Sequence, residues 1–319
     1  MACCAEEFRK CNRKGGGYMD SIHAANSEVR TESADAMART NRRRPEVEGS
    51  RRRTWLETDW YTLLYFSPTG NVRHLAKTLA SQLDSHRTTV VPLEATEPEQ
   101  LGGGGHLILL YPIHGFNPPR NVERFVQRLP ADLFDAVSVI AVGCTNHWVD
   151  GAVSRRLRRT LTRKGYAIVV DEILAMPLTF IMAFSDDLAR KLVVGSEKRM
   201  EHVAASLGSV PGIAPRVAWW SRLVSFLGRL ESPASRLFGL ELHANEGCTS
   251  CGRCWSHCPQ RNIRRGRDGR PRFGFDCLMC MRCIYNCPEK AIAPRISKFI
   301  PIKGGYSLSR YVGEECRSS

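Results

Sequence analysis

The chain has 319 residues, a formal charge of +14 and a pI near 9.4. Roughly 100–200 residues make one domain, so there is room for two domains and a tail, and the positive balance favours acidic partners: an acidic redox protein, nucleic acid or an anionic membrane surface. No apolar run approaches the ~18 residues of a membrane span. Thirteen cysteines with no signal peptide in view point to thiols kept reduced for metal, hence to the cytoplasm.

Residues 1–56 read as a disordered basic tail, with arginine triplets at Arg42 to Arg44 and Arg51 to Arg53 and no sustained apolar period. Cys3, Cys4 and Cys11 lack spaced partners and are assigned no site. The second triplet resembles part of a twin-arginine export signal, but Glu57 and Asp59 stand where an apolar segment should follow.

From residue 60 the pattern alternates. Strands are expected at 60–66, 89–93, 106–111, 137–142 and 167–173, and helices at 71–84, 122–129 and 152–164. Alternation of this kind implies an α/β doubly wound parallel sheet covered on both faces, assigned to residues 57–210. Ligands of such sheets bind at the carboxyl ends of the strands. The turn after the first strand reads Ser67-Pro68-Thr69-Gly70-Asn71 and opens a helix, so its hydroxyls and N–H groups suit a phosphate. Gly102 to Gly105 precedes a strand and reads as a turn. Two further loops lie at strand ends, Tyr111 to Pro119 and Gly143-Cys144-Thr145-Asn146. Helices follow at 186–207 and 216–239. The second, within a connector at 211–241, carries Val217, Trp220, Val224 and Leu227 in a stripe read as packing between domains, with a membrane surface as the less favoured use.

Residues 248 to 288 carry the most specific pattern. Cys248, Cys251 and Cys254 lead to Cys258-Pro259, and Cys277, Cys280 and Cys283 lead to Cys287-Pro288. Each run reads CxxCxxCxxxCP, the spacing that holds a [4Fe-4S] cubane in two-cluster bacterial ferredoxins, where each fourth cysteine ligates the other cluster. Beyond the cysteines, Arg253 answers Arg282 and Ile263 answers Ile292. Structural zinc uses CxxC pairs and needs no third cysteine at this spacing, and disulfides belong to small secreted domains. The expected ligands are therefore Cys248, Cys251, Cys254 and Cys287 for one cluster, and Cys277, Cys280, Cys283 and Cys258 for the other.

Residues 242–298 resemble the ferredoxin fold, with 299–319 left as a C-terminal tail. Phe66-Ser67-Pro68-Thr69-Gly70-Asn71 resembles the phosphate loop of flavodoxins, with Val72 where that family usually has a hydroxyl. Met176-Pro177-Leu178-Thr179-Phe180 is similar to the MPxNY segment of flavodoxin-like domains fused to ferredoxins, Thr179 and Phe180 replacing Asn and Tyr. Together these identify the chain with the EFR1-type ferredoxins. That resemblance implies an FMN whose phosphate lies at Ser67, Thr69, Gly70 and Asn71. Its ring would lie along His114, Gly115, Phe116 and Asn117, with Phe116 stacking, and against Gly143, Thr145 and Asn146. The function implied is electron transfer between FMN and two [4Fe-4S] clusters, with an acidic redox protein or reductase as partner. Two alternatives stand beside it: a flavin-dependent reductase of a small substrate, and a zinc-stabilised nucleic-acid binder. The latter is drawn from the arginines of residues 155–164 and 261–272 but lacks a recognition module.

Overall fold

In the computed structural model, residues 60–144, 151–208 and 219–312 are described; the expected N-terminal tail, Thr145, Asn146, Val217 and residues 313–319 lie outside them. Five strands form one parallel sheet: β1 (Tyr61–Tyr65), β2 (Thr88–Pro92), β3 (His106–Pro112), β4 (Ala136–Gly143) and β5 (Ile168–Ala175). Their order, β2-β1-β3-β4-β5, is the flavodoxin-like order of doubly wound sheets. β3 is central because its run His-Leu-Ile-Leu-Leu-Tyr can be buried on both faces, which is what a middle parallel strand requires. His106, the polar member of that run, meets the Ser138 hydroxyl at 2.9 Å. Burial pushes its pKa down to about 4, so it is neutral inside the sheet.

Helices α1 (Asn71–Ser81), α2 (Arg120–Arg128), α3 (Arg155–Arg163) and α4 (Asp186–Ser206) cover the sheet. α1 buries Val72, Leu75, Ala76 and Leu79 along one face, the spacing that marks it in the sequence. α4 starts where the Ser185 hydroxyl accepts from the Leu188 amide at 3.3 Å, with Asp186 and Asp187 at the positive helix end. It is tied to α1 by His74 and Glu197 at 2.6 Å.

The expected helix at 216–239 is two helices, α5 (Trp219–Gly228) and α6 (Glu231–Glu241). Pro233 explains the break: it has no N–H to give, and its ring would collide with the carbonyl of Arg229, four residues back. The face α5 turns inward also departs from expectation. Ser221 and Ser225 are buried, Trp220 and Val224 are half-buried, and Leu227 is exposed. The apolar stripe is thus not the seam between domains.

The cysteine-rich part is built from short pieces. β6 (Leu242–Ala244) pairs antiparallel with β9 (Ile292–Pro294), and β7 (Ile263–Arg265) with β8 (Pro271–Phe273). Single-turn helices α7 (Arg253–Ser256) and α8 (Arg282–Tyr285) carry the third cysteine of each run. Phe238, Leu242, Met281 and Ile292 form a small core there. Residues 299–312, read from sequence as part of a tail, pack back instead: Ile302 and Tyr311 are buried, and the Ile181 amide donates to the Ile300 carbonyl at 2.6 Å.

Candidate iron-sulfur site and phosphate loop

The sequence repeat is also a backbone repeat. Ser250, Gly252 and Arg261 have φ of 55°, 87° and 50°, and their counterparts Met279, Met281 and Lys290 have 53°, 60° and 48°. Five of these six are not glycine, in a region that side chains rarely adopt. Successive changes of backbone hand in a tight loop turn N–H groups toward one side and create a positive hollow.

Two cavities sit in these loops. Cys248, Cys251, Cys254 and Cys287 line one, and Cys258, Cys277, Cys280 and Cys283 line the other. Each set takes three cysteines from one run and the fourth from the other. Four sulfurs around a void suit the body of a cubane better than a tetrahedral ion. Amide donors meet the sulfurs: Asn262 to Cys258 at 3.4 Å, its counterpart Ala291 to Cys287 at 3.3 Å, and Met279 to Cys277 at 3.2 Å. Such donors offset negative charge on the ligand and tune a cluster's potential. Burial pushes Cys254 and Cys280 up to about 11, Cys277 to about 12 and Cys283 well above its ordinary value. These thiols are protonated at neutral pH when free, so binding iron there must release protons.

The second set of four stands at the carboxyl ends of β1 and β3. Leu278 and Cys280 join the sheet's own core beside Phe66 and Tyr111. The Arg282 guanidinium donates to the Ser67 carbonyl at 2.8 Å, pairs with Glu94 at 2.5 Å, donates to the His257 carbonyl at 3.2 Å and lies over the Phe66 ring. From α2, Arg120 pairs with Asp276 at 2.9 Å and donates to the Cys277 carbonyl at 2.6 Å. The Tyr285 hydroxyl donates to the Thr179 carbonyl at 2.7 Å. Composition and periodicity give no sign of these contacts; only Arg282 stands out in the sequence, as the repeat partner of Arg253.

Ser67, Thr69 and Gly70 border a cleft of about 1540 Å³ whose other walls include Cys258, Arg282, Tyr285 and Tyr306. Gly70, at φ +103°, turns the chain into α1, and the Ser67 hydroxyl accepts from the Arg73 amide at 2.9 Å. Asn71 does not border the cleft. Its side chain is buried, donating to the Pro177 carbonyl at 3.0 Å and accepting from the Tyr306 hydroxyl at 2.6 Å.

The loop His114 to Asn117 lies elsewhere, against α5 and α6. The Asn117 amide donates to the Ser225 carbonyl at 2.8 Å and accepts from the Ser225 hydroxyl at 2.9 Å. A Cβ added to Gly228 would run into the Gly115 carbonyl oxygen, so the two backbones touch. Phe116 has φ +59°, and burial pushes His114 down to about 4. Gly143 belongs to β4, its carbonyl accepting from the Met176 amide at 2.7 Å. Ser67, Thr69 and Gly70 thus face the cleft, while the Asn71 side chain is turned into the protein. Residues 114–117 are packed against α5 and α6 through Gly115 and Asn117.

Glu231, whose carboxylate packs on Gly115, is pushed up to about 7 by burial. Unfolded, it ionises near 4.5. Stability present below that pH is lost as pH rises through 7, on the order of 3 kcal/mol in all. Glu231→Gln is expected to leave stability at pH 4 unchanged and raise it at pH 8, as urea midpoints at the two pH values will show.

Residues 247–292 match the family of 4Fe-4S dicluster domains. No curated protein matches the chain. Among solved structures, rubredoxin oxygen:oxidoreductase from Desulfovibrio gigas is similar at 13% identity over 47% of this chain, with a TM-score of 0.35; the chain spans 35% of that protein's length. A Streptococcus pneumonia TIGR4 flavodoxin is similar at 14% identity over 46% of this chain and 97% of its own, with a TM-score of 0.34. A Fusobacterium nucleatum flavodoxin bound to flavin mononucleotide gives 13%, 46% and 94%, with a TM-score of 0.32. The parallel register and strand order make the first part of this chain flavodoxin-like. A 4Fe-4S ferredoxin-type region follows it.

Proposed function

We propose that the chain is an electron-transfer protein of the EFR1-type plan, with one [4Fe-4S] cluster in each crossed set of four cysteines. The observation that carries this is the pair of cavities, each lined by three cysteines of one run and the fourth of the other. A cubane supplies one-electron exchange at a potential set by its surroundings. The chain's part is to supply eight thiolates, direct amides at them and fix the second set on the sheet through Arg282 and Arg120. The basic surface fits an acidic redox partner, and the reducing cytoplasm is the setting proposed for these thiols.

FMN is proposed for the cleft, with its phosphate at Ser67, Thr69 and Gly70, and not along residues 114–117. It would supply exchange of one or two electrons. What supports this placement is that Cys258, Pro259, Gln260 and Arg282 border both the cleft and the second cysteine cavity. The Thr69 hydroxyl is assigned a contact to the phosphate, and a hydrogen bond to a charged group contributes about 1.5–3 kcal/mol. Thr69→Val is therefore expected to weaken FMN binding by roughly ten- to a hundred-fold, read by quenching of flavin fluorescence on titration. If the unaltered protein retains no FMN when supplied with excess, the sheet serves as a scaffold for the clusters.

A further inference from the structure

α5 is inverted with respect to an ordinary surface helix. Its buried positions are Ser221 and Ser225, one turn apart, and the Ser225 hydroxyl donates to the Asn117 side chain at 2.9 Å. On the opposite side Trp219, Leu223, Phe226, Leu227 and Leu230 are 50–75% exposed. At 100° per residue these five fall within a stripe about 100° wide, the width a globular helix normally gives to its core. Leu237 and Leu240 of α6, the next helix, are exposed as well. Scattered exposed leucines need no explanation, whereas a contiguous stripe along a helix does.

The charge beside the stripe identifies what it meets. Arg222 and Arg229 flank it on one side, and the Arg155 guanidinium of α3 is held down first by desolvation and then by the charges of Arg159, Arg222 and Arg229. Four guanidiniums thus stand at the edge of an apolar face, while the neighbouring Arg156 is paired with Glu123 at 3.3 Å. Among the described residues no helix is long and apolar enough to cross a membrane. Aromatic and leucine side chains on one face with arginines at its rim are the chemistry of a helix lying in a bilayer interface. An acidic partner held by charge alone would satisfy the arginines and leave the apolar stripe in water.

We propose that α5 and the start of α6 form a docking face for an anionic membrane surface, the stripe entering the acyl boundary and Arg155, Arg159, Arg222 and Arg229 meeting lipid headgroups. The electron-transfer part of the chain would then work at a bilayer without spanning it.

The test is co-sedimentation of the full chain with vesicles of phosphatidylcholine alone or mixed with phosphatidylglycerol. Binding is expected only to the mixed vesicles and should weaken with salt. Arg222→Gln with Arg229→Gln should lose about five-fold per charge removed, following the ~1 kcal/mol of each basic residue near such a surface. Phe226→Ser with Leu230→Ser should lose on the order of ten-fold or more, since two large side chains no longer enter the interface. All four side chains are exposed, so iron content and secondary structure should be unchanged. The proposal fails if the unaltered chain ignores anionic vesicles. It fails equally if the Phe226 and Leu230 pair binds them as tightly as before, which would mean attraction by basic charge alone. It fails too if the stripe instead drives concentration-dependent dimerisation that the same pair abolishes, or if it is an acidic protein and no vesicle that the face captures.

Discussion

Replacing Cys287 with Ala is expected to damage the cluster of the distant first run and spare that of its own. Cys287 shares a cavity with Cys248, Cys251 and Cys254, whereas Cys277, Cys280 and Cys283 share theirs with Cys258. A cubane with three protein ligands loses an iron or is lost altogether, so iron should fall from about eight to about seven or about four atoms per chain. Cys258→Ala should do the reverse, removing the cluster that rests against the sheet. Mössbauer and electron paramagnetic resonance spectra of the two variants should therefore be complementary. If Cys287→Ala instead perturbed only the cluster held by Cys277, Cys280 and Cys283, ligation would be uncrossed.

Arg282→Met is expected to cost about 3–5 kcal/mol, the usual cost of removing one member of a desolvated ion pair. Arg282 and Glu94 have side-chain exposures of only 15% and 20%, and the same guanidinium also holds the Ser67 carbonyl of the phosphate loop. Its loss leaves Glu94 half-desolvated and the second cysteine set unfastened from β1. The repeat provides an internal control: Arg253 occupies the matching place in the first run but is exposed, so Arg253→Met should change stability by no more than about 0.5 kcal/mol. Arg282→Lys keeps the charge and loses the fork that reaches several acceptors, and should fall between the two. Equal effects at 253 and 282 would show that Arg282 does not fasten the cluster region to the sheet.

Much of this architecture is legible because its signals are local. The all-apolar run of β3, the one-sided face of α1 and the turn from Ser67 into Gly70 depend on neighbours within a few residues. So does cysteine spacing. The crossed geometry could be expected because the second run repeats the first at a fixed offset, and the left-handed residues recur at the same offset. What escaped depends on contacts distant in sequence. Ser225 faces inward because Asn117, more than a hundred residues earlier, supplies its polar partners, and Ser221, one turn before, is buried with it. A pattern reading that turns apolar residues inward takes the wrong side of α5. Pro233 was visible in the sequence, and its break in the helix could have been read from it. The ring wall at His114 to Asn117 is implied by likeness to flavodoxins, whereas the close approach of Gly228 to Gly115 is a long-range contact that no local pattern announces. Residues 299–312 look like a tail by composition, but Ile302, Tyr306 and Tyr311 anchor them, Tyr306 by its bond to Asn71.

The central claim, that each crossed set of four cysteines holds a cubane, is tested most directly by anaerobic purification followed by analysis of iron, acid-labile sulfide and zinc. Two cubanes predict about eight iron and about eight sulfide per chain, with zinc well below one. About two zinc per chain with no labile sulfide would contradict it, and would make the cysteine runs structural metal sites that carry no electrons.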